Sequence, residues 1–358
     1  MLIESIILII YMSLKAKRVS RISDSSVLDL QTNTKERFTF VICLIFIFTT
    51  LIIRPDFYSG FSIIFDSTNI RLNQVNESTK GILYTLFSFL FPLVYLSICL
   101  FLIKKINVKI FSYKVLKTVL NLLVISIPLF FMNNSDGFTL ICMVSLALVV
   151  YRIRGISKTT FYGVVGGTFL LIFLYILLMV ANMSFGSEGT STLNQLSKAF
   201  QAYFPGVCNF AGFFNVGGYN KAETLFYDLY STIPFRNTLF GVQGDRRLVV
   251  LYAADNGAKS QIIPCICQLF YYLSIFAPFV ECLYIKFCLK FYEKSKQENS
   301  VYKIFIYYIL FLYCALAPIM YNSTIFFTRC MQTIFPMMIV NLLISKRATV
   351  LRSKNKKV

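Results

Sequence analysis

Residues 81–103 read GILYTLFSFLFPLVYLSICLFLI, a stretch without one charged side chain that ends abruptly at Lys104 and Lys105. A bilayer core asks for roughly 17–25 mainly apolar residues per helix, so this run alone is long enough to cross one. Comparable runs recur at 2–14, 38–53, 115–132, 138–151, 160–182, 263–285, 301–321 and 326–345. The expected fold class is therefore all-α, a polytopic transmembrane bundle of about nine helices with room for up to eleven. The run from Leu2 to Leu14 is short and holds Glu4, yet it lacks the basic n-region and small-residue cleavage site of a signal peptide. It reads as a membrane helix.

Composition agrees. Hydrophobic residues make up 57% of the 358, charged residues 14%, and the mean hydropathy is +0.68, more apolar surface than a soluble globular domain needs. The chain has no His and no Trp. Histidine triads, His-ligated zinc or haem and imidazole general bases are excluded. Cysteines such as Cys43, Cys99, Cys142, Cys282 and Cys314 sit inside apolar runs, and Cys265 and Cys267 form only a CxC at a helix mouth. That pattern is neither a disulfide framework nor a metal site.

The net charge of +19 is sorted rather than spread. With the N-terminus outside, segments 15–37, 104–117, 152–158, 286–303 and 346–358 face inward and carry 25 of the 35 basic residues. Cytoplasmic loops are enriched in this way. KAKRVSR, KKINVK and RSKNKKV then report topology and attraction to anionic membrane lipids, and nucleic acid is not an expected partner. The same sorting divides the chain into N-terminal membrane helices (1–181), a large extracytoplasmic loop with short helices (182–262), and C-terminal membrane helices with a basic cytoplasmic tail (263–358). No internal repeat is visible, and no paired Gly/Pro-broken helices of the kind many transporters carry.

The loop is the least membrane-like part, and specificity is expected there. SFGSEGTSTLNQLSKAF (184–200) opens it: Ser191 or Thr192 can cap a helix whose Leu193, Leu196, Phe200 and Tyr203 form an apolar face, stopped by Pro205 and Gly206. VCNFAGFFNVGGYN (207–220) mixes aromatics with Gly and Asn, as a re-entrant or surface segment would. The end of the loop concentrates Arg236, Asp245, Arg246, Arg247, Asp255, Asn256 and Lys259 just before the seventh run. Guanidinium groups bind phosphate oxygens bidentately, so this cluster reads either as a phosphate or pyrophosphate clamp or as a solvated loop whose arginines meet headgroups and Asp245 or Asp255. Arg329 lies a few residues into the last run, where it either snorkels to the outer interface or faces the same cavity. Glu281 is expected near the inner end of its run beside Lys286 as an interfacial ion pair. Asp56 and Asp66, in the first outer loop, are weaker candidates for a general base. No DxD, P-loop or GxSxG is present, which argues against nucleotide-driven chemistry.

From Arg236 to Tyr284 the order IPFRNTLFG, GDRR, then NGAKSQIIPCICQLFYYLSIFAPFVECLYI resembles the oligosaccharide repeat-unit polymerases, the Wzy-type O-antigen and capsule polymerases. The detailed likeness covers about 50 residues; the architecture covers the chain. The resemblance implies a multi-pass protein of the bacterial cytoplasmic membrane. Its implied activity is a glycosyltransferase that moves a polyprenyl-pyrophosphate-linked glycan onto the sugar end of another lipid-linked repeat unit, on the outer face, without cofactor or metal. It also raises a chain-length regulator and a flippase as partners. Related ligases use an outer-loop His, which this chain lacks. In this reading Arg236, Arg246, Arg247 and Arg329 bind donor and acceptor phosphates, and Asp245 or Asp255 serves as base or orients an arginine. Lys259, Ser260 and Asn256 assist, and Tyr219 and Asn215 contact sugars. The competing readings are a carrier for lipid-linked oligosaccharide, which would place charges inside several helices, and a glycan acyltransferase, disfavoured by the absence of His.

Overall fold

The computed structural model describes residues 34–53, 82–109, 113–131, 136–153, 156–182, 213, 216–217, 219–233, 246–255, 263–298, 300–320, 327–328 and 330–339. Among them every regular element is a helix, so the fold is all-α. In order these are α1 (Thr34–Ile53), α2 (Ile82–Lys109), α3 (Lys114–Phe131), α4 (Asp136–Tyr151), α5 (Lys158–Asn182), α6 (Lys221–Ser231), α7 (Leu248–Asp255), α8 (Cys265–Leu273), α9 (Ala277–Gln297) and α10 (Val301–Met320). The expected run 2–14 lies outside the described residues, and of 326–345 only part is described, including a π-helical turn at Cys330–Ile334.

Two helical stretches, Phe89–Lys109 and Cys265–Gln297, are long and apolar enough to cross a membrane. Shorter apolar helices occupy Arg37–Ile53, Phe138–Tyr151, Lys158–Leu174 and Val301–Leu316. The chain forms two compact units, one built mainly on Val27–Thr190 and the other on Ser191–Gln297 with Leu310–Met331.

In the first unit α3 packs against α2, α4 and α5, and α1 packs against α2. Leu96, Cys99, Leu100 and Ile103 form a buried stripe at helical spacing on α2. Polar groups are buried as well: Asn107 Nδ2 donates to Asn121 Oδ1 at 3.0 Å and Asn121 Nδ2 returns a bond to Asn107 Oδ1 at 3.3 Å, tying α2 to α3. Large apolar side chains lie outside, among them Phe38, Ile45, Phe48 and Ile52 on α1 and Tyr162, Phe169 and Phe173 on α5. Small residues let α5 approach α3 closely. A Cβ added at Gly163 would stand 2.9 Å from Thr118 Cγ2, and one at Gly167 2.7 Å from both Leu122 Cδ atoms.

The seventh run is expected as one helix over 263–285, and it is broken instead. α8 ends at Leu273, Ser274–Phe276 forms a 3₁₀ turn, and α9 continues to Gln297. Its continuation past 285, KFCLKFYEKSKQ, is rich in Lys, with Leu, Glu and Gln, which are good helix formers that hydropathy alone undervalues. Glu281 therefore sits in the second turn of α9, where it is buried. Pro278 costs nothing there, because first-turn N–H groups have no intrahelical acceptor. The break itself is strained: Ser274 has φ 48° and ψ −116°, a region that glycine occupies without penalty. Ser274→Gly is expected to stabilise the protein by about 1 kcal/mol, read as a raised unfolding midpoint in detergent. An unchanged or lowered midpoint would show that the turn stores no strain.

Candidate functional site

The site grows from α6, α7 and α8, all within the second unit. Helix α6 starts where it does because Asn220 caps it: its Oδ1 accepts the N–H groups of Ala222 at 3.1 Å and Glu223 at 3.4 Å. Two donors that the first turn leaves without acceptors are thereby satisfied, and the Glu223 charge favours the same end. An apolar cluster of Phe213, Val216, Leu248, Tyr252, Ile263, Cys267 and Tyr271 joins α7 and α8, with Phe213 edge-on to Tyr271 at 5.8 Å.

One buried carboxylate holds the three helices together. Asp228 of α6, only 4% exposed, accepts Gln268 Nε2 at 2.5 Å and Tyr272 Oη–H at 2.8 Å on Oδ2, both from α8. Its Oδ1 accepts the backbone N–H of Leu248, the first residue of α7, at 3.2 Å. An anion is well placed at that helix end. Burial nevertheless dominates and raises the Asp228 carboxyl above its ordinary range, against the lowering pull of Tyr272, Gln268, the Leu248 N–H and Arg247. A proton is thus held more readily here than on a solvated carboxylate.

Of the residues expected to act, Arg246 and Arg247 stand side by side immediately before α7. Arg246 Nη1 pairs with Glu223 Oε1 at 2.5 Å in solvent, and Arg247 lies in the field of Asp228. Asp255 closes α7, where a negative charge opposes the helix dipole, and it accepts the Tyr219 hydroxyl at 2.7 Å. That hydrogen bond raises the Tyr219 phenol above its usual range. The seven-residue separation of Leu248 and Asp255 puts about 10 Å of helix between the arginine pair and Asp255. Arg236, Asp245, Asn256, Lys259, Ser260 and Arg329 lie outside the described residues, as do Asn215, Asp56, Asp66 and the 191–203 helix. Among the described residues no three Cys, Asp or Glu side chains converge on a metal-sized site.

Asp228, Glu223, Gln268 and Tyr272 escape the sequence reading. The signal for the first two is present: Asn220 and Glu223 form an N-x-x-E start, and Thr224 and Asp228 fall one turn apart on one face of α6. No family model, curated protein or solved structure matches the chain.

Proposed function

We propose that the protein is a multi-pass membrane glycosyltransferase that polymerises polyprenyl-pyrophosphate-linked oligosaccharide repeat units on the outer face of the bacterial cytoplasmic membrane. The observation that carries the reading is the arginine pair at the start of α7, set beside carboxylates in the same unit as the Cys265–Gln297 span. Exposed large apolar residues over α1, α5 and α9 suit contact with lipid. Departure of a lipid pyrophosphate needs cations, and outside the cell the donor must carry its own leaving group. Arg246 suits a phosphate clamp: an exposed ion pair such as Arg246–Glu223 is worth only about 0–1 kcal/mol, so an incoming phosphate can displace the glutamate. Arg247, drawn toward Asp228, positions the pair. Asp255 is the accessible base candidate on the described helices, with Arg236, Asp245, Lys259, Ser260, Asn256 and Arg329 completing the proposed site.

The test is single substitution of Arg236, Arg246, Arg247 and Arg329 with Ala in a strain lacking the gene, with glycan length read on a gel. Shortened polymer for Arg246→Ala supports the clamp; full-length polymer from every variant sinks the arginine assignment. The alternative, a carrier for lipid-linked oligosaccharide, is favoured by one observation, the helix break at Ser274–Phe276, since interrupted helices hold sites in many transporters. The same gel separates the two. A polymerase defect leaves single repeat units at the surface, whereas a carrier defect removes them with the polymer.

A further inference from the structure

Helix α6 is amphipathic the wrong way round for a water-soluble element. Its inward face is polar, with Thr224 and Asp228 buried against the rest of the unit. The opposite face is Ala222, Leu225, Phe226, Leu229 and, just past the helix end, Ile233, spaced i, i+3, i+4, i+7 and i+11. Leu225 is 40% exposed, Phe226 58%, Leu229 52% and Ile233 41%, and the Phe226 ring stacks on Tyr230 at 5.9 Å. A contiguous apolar stripe of this kind left in water marks an interaction surface.

Two observations identify what covers it. Through Asp228, α6 is bonded to Gln268 and Tyr272 in the opening helix of the Cys265–Gln297 stretch, so the stripe is held at the level where that stretch begins. Beyond that point α8, the turn and α9 also expose apolar side chains outward, Phe270, Ile275, Phe276 and Phe279. On the flank of α6, Glu223 with Arg246 supplies charge of both signs, and Lys221 lies over the Tyr271 ring at 5.3 Å. An in-plane membrane helix has this make-up, an apolar face sunk about 5–10 Å into the boundary between headgroups and acyl chains and a charged flank in water.

We infer that α6 lies in the surface of the bilayer, its Leu225–Phe226–Leu229–Ile233 face buried among lipid acyl chains, so that Asp228 and the arginine pair are held against the membrane. The inference rests on the membrane placement of the chain and not on its enzymatic reading. Because the protein contains no tryptophan, Phe226→Trp installs a single fluorophore on this face. The full chain carrying it is reconstituted into phosphatidylcholine vesicles, with and without bromine at shallow acyl positions, and challenged with aqueous iodide.

The expected result is blue-shifted emission that loses roughly half its intensity or more to brominated lipid and little to iodide. Leu229→Trp reads the same face should Phe226→Trp fail to fold. Quenching by iodide but not by lipid overturns the inference, because the face is then in water. Quenching by neither overturns it as well, because another part of the chain or a second copy then covers the stripe. Protein that fails to float with the vesicles overturns the membrane placement and the inference together.

Discussion

Replacing Asp228 with Ala is expected to cost on the order of 3 kcal/mol or more and to release the α6–α7–α8 cluster as a unit. The substitution leaves the Gln268 amide, the Tyr272 hydroxyl and the Leu248 N–H without their common acceptor in a buried place. Each such orphan costs about 1–3 kcal/mol. The readouts are the unfolding midpoint in detergent and faster proteolysis within 221–273. Asp228→Asn should behave otherwise. Its amide oxygen can still accept the Leu248 N–H, and Gln268 and Tyr272 can turn to act as acceptors, so at neutral pH it should stay near the parent.

The parent and Asp228→Asn also differ in pH dependence. Because the folded carboxyl is raised above its unfolded value, the contribution of Asp228 is fully present below the unfolded value and is lost as pH rises through the folded one. The parent should therefore gain stability as pH falls from neutral toward the carboxylate range, and Asp228→Asn should flatten that part of the profile. Equal pH profiles would show that Asp228 is not the titrating group. Wild-type stability in Asp228→Ala would show that it ties nothing together.

The second large effect is steric. Gly163 and Gly167 stand one turn apart on α5, opposite Thr118 and Leu122, which stand one turn apart on α3. Leu at either glycine must push the helices apart at a cost of about 1–3 kcal/mol, and the double variant should lose about 3 kcal/mol or fail to fold. The alanine variants refine the expectation. Thr118 Oγ1 is bonded to the Lys114 carbonyl at 2.9 Å, so its methyl cannot swing away from a Cβ at Gly163, whereas the tips of Leu122 can yield at Gly167. Gly163→Ala should thus be the more damaging of the two. Gly166 has nothing within 4 Å of an added Cβ, and Gly166→Ala should gain about 0.5–1 kcal/mol from helix propensity. Unfolding in detergent ranks the set, and equal losses at 163, 166 and 167 would remove the close approach as the cause.

Most helix bounds are legible in the residues. Runs expected at 38–53, 115–132, 138–151, 160–182 and 301–321 reappear as α1, α3, α4, α5 and α10 with ends shifted by a few residues, because apolar runs and their charged borders are local properties. Less legible are α2, which continues to Lys109, and α9, which continues to Gln297, since a helix does not stop where hydropathy does. The arginine pair is legible because charge is scarce on that stretch. Asp228 is less so, because the N-x-x-E start and its spacing from Thr224 mark a helix face but do not show that distant residues bury that face.

The sequence by itself determined the helical class, the sorting of basic residues to alternate segments and the candidate cations at Arg246 and Arg247. Tertiary structure alone decided that Asp228 meets Gln268 and Tyr272 across forty residues of chain, that the seventh run breaks at Ser274, and that α6 turns its polar side inward. The physical reason is range. Hydropathy, charge order and capping act over a few neighbouring residues, whereas burial of a carboxylate and the direction of a helix face depend on which distant elements pack against it.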